Sequence, residues 1–338
     1  MLGVPKLARS GVFEFVKRPA ANHGFQFLAG WRNTLEEISK GSKWSALASI
    51  KDRVCRRDKS VHDLKTDCRD RWRQAFSLVE IARKMLNAQS HPDFEELLQH
   101  LGLLVGSADV SQFSMIPISA TPSEKDTNNK VFELFVAGIL FRMLSKVQLD
   151  KIRPSKGDRR NPDVIGEFQG KQWGFACKTC HGKNPKSFVE RVEEGIDQIE
   201  KADVERGIVV VNFKNLIPHD EIWPAAKDPV SGEWGYLAYQ HIDAARTLIL
   251  RIFTEFETKV YALTGSRQEF VNKFAGKKAI SQVVMFYCTV AGFSARPGVV
   301  APMIVKQLTG AGTPTGALDS ESETVMDLFN DYLHDRVD

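Results

Sequence analysis

Two short stretches of this chain hold residue types that do chemistry. "WGFACKTCH" at 173–181 sets Cys177, Lys178, Cys180 and His181 close together, and "NPDV" at 161–164 sets Asp163 shortly upstream. Three kinds of chemistry use such residues. CKTCH has the spacing of covalent haem attachment. Its two cysteines could form half of a zinc site, which needs four ligands. An aspartate near a lysine suits hydrolysis of a phosphodiester. That reaction needs an activated water and stabilised negative charge on a phosphorane-like transition state. Magnesium held by carboxylates supplies both, and a nearby lysine orients the water or offsets the charge.

The elements that position these residues discriminate among the three. Two short strands, 162–168 and 172–178, flank "QGK". If Gln169 and Gly170 form a two-residue turn, Phe168 pairs with Lys171 and Asp163 lies opposite Ala176. Alternation then sends Trp173, Phe175 and Cys177, with Val164 and Phe168, to a core face. Ala176, Lys178 and Asp163 go to the other face. A Cys177 buried on a strand among aromatics is not on the accessible helical turn that haem attachment needs. Cys55 and Cys68 fit no usual zinc knuckle with the later pair. Cys177 reads as a small hydrophobe, and the shared face of Asp163 and Lys178 favours the third chemistry.

The flanking elements add candidates. A helix at 129–145 contains "KVFELFVAGILFRML", apolar on almost every face, with Glu133 as its sole acid. An unpaired carboxylate there is costly, although a first-turn glutamate also suits a helix dipole. A helix at 186–202 turns Phe188, Val192, Ile196 and Ile199 inward, sets Glu194 and Gln198 along one margin and Glu193 along the other, and points Glu190 outward. "GIVVVNF" at 207–213 reads as a buried central strand. A long helix is expected over 236–263 and strands near 281–292 and 298–307.

A helix with an inward Glu, then "PD", a β-hairpin, a lysine on its second strand and a following helix with Gln resembles the PD-(D/E)XK nuclease superfamily, the fold of many restriction endonucleases and repair nucleases. The resemblance covers residues 125–215 and extends towards 307. It implies a restriction endonuclease-like mixed α/β sheet flanked by helices. It also implies Asp163 and Glu133 as ligands of Mg2+ or Mn2+, Lys178 as the motif lysine and Gln198 as the glutamine of the following helix. Pro-Asp alone proves nothing, since "HPDF" at 91–94 opens a helix instead. One departure stands out: the position two before Lys178 is Ala176 where an acid is usual. Either another carboxylate has moved into reach, with Glu194 and Glu193 the metal-binding candidates, or the domain binds nucleic acid without cutting it. Glu167 shares the Asp163 face but lies nearer the turn. Arg153, Lys156, Arg159 and Arg160 precede Asp163 in a loop suited to phosphate contact, or simply solvated.

Composition sets the frame. The 338 residues are 43% hydrophobic and 26% charged, with net charge +4 and five cysteines. No leader pattern is read at the N-terminus, and the most apolar late segment is broken by Arg296 and Pro297, so no membrane partner is expected. An odd cysteine count with irregular spacing points to reduced thiols in a cytoplasm. Residues 1–90 carry roughly twice as many basic as acidic side chains, including "KDRVCRRDK" and "RDRWR", a surface that could follow phosphates or simply be solvated. Three regions are expected: a helical basic region at 1–125, a nuclease-like domain at 126–310 and an acidic, mobile tail at 311–338 holding at most a short amphipathic helix. The expected function is a magnesium-dependent DNA endonuclease of restriction, defence or repair type, with RNA left open and a homodimer compatible. The alternative is an inactive nucleic-acid-binding or assembly module on the same fold.

Overall fold

The turn that sets the register is present. Gln169 and Gly170 both take left-handed φ values, 50° and 81°, as a two-residue hairpin turn of the I′ kind requires. Phe168 pairs with Lys171. The computed structural model describes residues 13–16, 67, 69–97, 100, 122–150, 162–296 and 299–336. Within them, helices cover both faces of a mixed nine-stranded sheet.

The hairpin is β3 (Val164–Phe168) and β4 (Lys171–Thr179), and β2 (Ser145–Leu149) flanks β3 antiparallel. A crossover through α3 (Pro185–Lys201) returns the chain to β5 (Arg206–Asn212), parallel to β4. Asn184 accepts the Lys186 N–H and Pro185 takes the first turn, which starts α3 cleanly. β8 (Gln282–Arg296) lies parallel to β5, and β9 (Val299–Gly312) follows it back as a long hairpin. β7 (Trp234–Tyr239) extends the sheet beyond β8, with β1 (Phe13–Val16) and the short β6 (Ala225–Lys227) antiparallel to it.

Alternation divides the core into two layers. Ile208 and Val210 of β5, with Val284, Phe286 and Cys288 of β8, meet α1 (Arg69–Ala88), α2 (Pro122–Leu140) and α7 (Ser320–Leu333). Val209, Val211, Val283, Met285 and Tyr287 meet α3, α5 (Ile242–Thr264) and α6 (Arg267–Asn272), with the single turn α4 (His219–Ile222) between β5 and β6. β5 is therefore buried on both sides, as its unbroken apolar run requires.

Several expectations give way. The helix expected from 236 begins at 242, because Trp234–Tyr239 is β7; an aromatic run buried on both faces gives no clear period. Where a mobile tail was expected, 320–333 is a packed helix: Val325, Phe329 and Leu333 of α7 are buried against α2 and α1. The boundary near 126 does not separate two cores, since Trp72, Phe76, Ile81 and Met85 of α1 share a core with the sheet. Nor is the N-terminal region wholly helical, because Phe13–Val16 is a strand. Two arginines of "RDRWR" are not a free basic surface: Arg69 meets Asp67 at 2.7 Å and the Trp223 carbonyl at 2.6 Å, and Arg73 meets Asp220 and the His219 carbonyl, both at 2.8 Å. "KDRVCRRDK" lies outside the described residues.

"HPDF" contributes to the sheet. Asp93 and Glu96 accept the backbone N–H groups of Val147 and Leu149, at 2.9 and 3.1 Å. The His91 and His100 rings meet the carbonyls of Leu144 and Asp150, each at 2.9 Å. Side chains thus satisfy the outer edge of β2, which would otherwise offer unpaired backbone groups to another strand.

Candidate active site

Asp163 stands one residue before β3 and is 8% exposed. Its Oδ2 accepts the Cys177 backbone N–H at 2.6 Å, and its carbonyl accepts the Asp150 N–H at 3.0 Å. These bonds fix it between the C-terminal ends of β2 and β4. Lys178, the next-to-last residue of β4, donates through Nζ to Oε1 of Gln198 on α3. The lysine and the glutamine expected to act with it are therefore in contact.

Glu133 enters from α2, on the opposite side of the sheet from α3. Its Oε2 accepts the Lys130 ammonium at 2.5 Å, with the two side chains 14% and 10% exposed. Burial, and after it the negative charge of Asp163, raise the Glu133 carboxyl well above the usual carboxylate range, while Lys130 and Lys178 pull it back only in part. Burial by itself would lower the Lys130 ammonium, but Glu133, with Asp163 and Asp150 beyond it, outweighs that and raises it. Four charged side chains, two from one helix and two from the hairpin, thus share one field at the end of β4. It is a field in which bringing both carboxylates to full charge is costly.

The compensating acids do not join them. Glu194 lies on Arg191 at 2.6 Å and Glu193 on Lys273 at 2.6 Å, both about half exposed. A local ion pair on α3 takes one, and a lysine just past α6 takes the other. Glu190 faces Lys186, and Glu167 pairs with Lys146 at 2.7 Å near the turn. Arg153, Lys156, Arg159 and Arg160 lie outside the described residues.

Ala176 has a packing reason. It is fully buried, and a Cβ built on Gly195 of α3 would come within 2.8 Å of Val209 and 3.5 Å of Ala176. Helix α3 lies close on β4 and β5 here, so an acidic side chain at 176 would be driven beneath it. A missing acid and a close helix contact are one feature.

The cysteine readings are answered by the same alternation. Cys177 belongs to the core layer under α2 and Cys180 to the layer under α3. Being three apart on an extended chain, the two thiols point to opposite sides. Burial pushes the Cys180 thiol up to about 12 and raises that of Cys177 as well, with Asp163 and Glu133 adding to the latter. Neither is poised as a thiolate ligand. Among the described residues, no group of three or more His, Cys, Asp or Glu could by itself enclose a metal ion. The oxygen pair of Asp163 and Glu133 suits a hard ion that keeps several waters and takes its remaining ligands from a phosphate, as magnesium does.

Lys130 and Asp150 escaped the sequence reading. Lys130 had a usable signal, since it sits three positions before Glu133 on a helix, the spacing that brings side chains together. Asp150 had none, because its place depends on the β2–β3 pairing. Lys214, just past β5, is also deeply buried; its Nζ meets Oδ1 of Asn128 on α2 at 2.6 Å, and burial lowers its ammonium to about 7.

Comparison with protein-family models, with curated proteins and with solved structures returns no match for this chain. Among the described residues no helix is long and apolar enough to cross a membrane. The class that can be stated is a mixed α/β protein with helices on both faces of its sheet.

Proposed function

We propose that this chain is a divalent-metal-dependent deoxyribonuclease with a restriction endonuclease-like core formed by α2, β2–β4, α3 and β5. The observation that carries the reading is the meeting of Asp163, Glu133, Lys178 and Gln198 at one end of β4, from three separate elements. The element order supports it as well. A helix with a glutamate precedes the hairpin, and a helix with a glutamine follows the lysine strand into a parallel neighbour.

In this reading Asp163 and Glu133 would hold a magnesium or manganese ion, which would supply an activated water and positive charge for the scissile phosphate. The Cys177 N–H holds one oxygen of Asp163, leaving the other to face the ion. Gln198 holds the Lys178 ammonium at the strand end, where it orients the attacking water or offsets the charge that develops on the phosphoryl oxygens. The buried walls formed by α2 and α3 limit screening by water, so each of these charges acts more strongly than it would in solution.

The test is cleavage of supercoiled plasmid and single-stranded DNA with Mg2+, Mn2+ or chelator, for wild type, Asp163→Ala and Lys178→Ala. Metal-dependent cutting lost in both variants is expected. Normal cleavage by Asp163→Ala would sink the reading. The packing of Ala176 under α3 favours a second reading, a DNA-binding module that no longer cuts. Salt-sensitive binding indifferent to Mg2+ and to Asp163, with no cleavage of either substrate, would establish it.

A further inference from the structure

The acids that should converge on a metal have a cation among them already. Lys130 is one turn from Glu133 on α2, its Nζ 2.5 Å from Oε2, and both side chains are largely shielded from water. It feels the charges of Asp163 and Asp150 as well as that of Glu133. Its amine is thus paired with the α2 carboxylate and lies within the field of those at the start of β3 and the end of β2. Other lysines of the sheet region differ. Lys171 lies on Glu321 and Lys146 on Glu167, both lysines substantially exposed and both far along the hairpin. Only a long, flexible stem lets an ammonium both fill such a position and leave it.

We propose that Lys130 is a built-in counter-cation. It occupies Glu133 when no divalent ion is bound and must leave that carboxylate when one enters, so metal binding and the Lys130–Glu133 ion pair are mutually exclusive. The inference rests on the metal-dependent reading above and deepens it by naming what regulates occupancy of the site. The physical reason is direct. Glu133 and Asp163 repel one another in a poorly hydrated place, and one positive charge near them relieves part of the cost. A second cation arriving at the same oxygens meets Coulomb repulsion from the first, so the resident ammonium weakens metal affinity. It also keeps the empty site from storing two uncompensated charges.

The experiment is titration of the full chain at pH 8 with Mn2+ alone, read by electron paramagnetic resonance of the free ion, in the absence of DNA. Wild type is compared with Lys130→Met, Lys130→Gln and Lys130→Arg, and each of these also with Asp163→Ala added. Thermal melting of each variant checks folding, and the glutamine variant, which keeps a hydrogen-bond donor, serves if the methionine variant melts early. Removal of the charge is expected to tighten Mn2+ binding by at least about fivefold, the arginine variant to stay within about twofold of wild type, and Asp163→Ala to abolish the binding throughout. If the uncharged variants bind Mn2+ no more tightly than wild type while Asp163 is still required, the inference is overturned and the metal site stands. If no variant shows Asp163-dependent Mn2+ binding, the inference falls together with the reading on which it rests.

Discussion

Two groups of buried charges lie beside the α2 layer of this protein, and they are resolved in opposite ways. One is Glu80, Lys84, Lys306 and Asp335. There Lys84 donates to the carbonyls of Tyr332 and Leu333 and to Asp335, at 2.6, 2.8 and 2.6 Å, so one ammonium caps the C-terminus of α7. Glu80 takes Lys306 at 2.7 Å and Arg83 at 2.9 Å. Against the opposing effect of burial, the neighbouring cations, Lys84 foremost, hold the Asp335 carboxyl below its ordinary range. The other group is Glu133, Asp163, Lys130 and Lys178, where burial and a like charge hold a carboxyl above its range. In the first arrangement the Asp335 carboxylate is held in its charged form. The second holds the Glu133 carboxyl in a state that an added cation would relieve, which is the pattern expected where binding or catalysis has been favoured over stability.

The sharpest way to break this contrast is Asp163→Asn. It keeps the shape and the acceptor oxygen for the Cys177 N–H but removes the charge that repels Glu133. Cleavage is expected to fall by about a thousandfold or more, while the melting temperature holds or rises. A clear drop in melting temperature would show that Asp163 is structural, like Asp335. The complementary change, Lys84→Met, is expected to cost about 3 kcal/mol in urea unfolding, because it removes the donor of the last α7 carbonyls and the nearest cation of Asp335. It should leave plasmid cleavage per folded molecule unchanged.

Ala176→Glu tests whether the missing acid can simply be restored. The side chain would enter the closed contact between α3 and the sheet at Gly195, so a loss of about 3 kcal/mol is expected, with no gain in Mn2+ affinity. Tighter metal binding in a stable Ala176→Glu protein would show that the site has room that the α3 packing denies.

Lys214 gives the mildest test and an intermediate case, a buried lysine whose Nζ meets a neutral amide oxygen. Its ammonium is lowered to about 7 from an ordinary 10.5. Between those pH values the unfolded chain holds a proton that the folded chain has released. Stability from this group therefore rises with pH across the window and is flat below it, with a slope of at most about 1.4 kcal/mol per pH unit. Lys84, lowered to about 8 by burial and by Lys306, adds a slope of the same sign. Lys214→Met should remove its share of the slope in urea unfolding measured from pH 7 to 9. An unchanged slope would show that Lys214 carries its charge in the folded state.

What was legible in the sequence was local. A two-residue turn of Gln-Gly fixes a hairpin register, and register with strict alternation fixes which side chains share a face. The pairing of Phe168 with Lys171 and the buried Cys177 follow from that. The inward stripe Phe188, Val192, Ile196 and Ile199 of α3 was equally plain, and all four are buried. Glu193 and Glu194 show where such reasoning stops. The helix wheel places them on the margins correctly, but Lys273, eighty positions along the chain from Glu193, decides where one of them points. The docking of α7 and the capping of the β2 edge by the 91–100 segment were not legible for the same reason: each depends on partners distant in sequence.

The sequence by itself determined most strand and helix periods and the hairpin register, because those depend on backbone geometry over a few residues. Only the tertiary structure decided that α3 closes over Ala176, that Lys130 sits on Glu133 beside Asp163, and that the tail is part of the core. Those outcomes depend on how closely separate elements approach, and on which charges are buried together when they do.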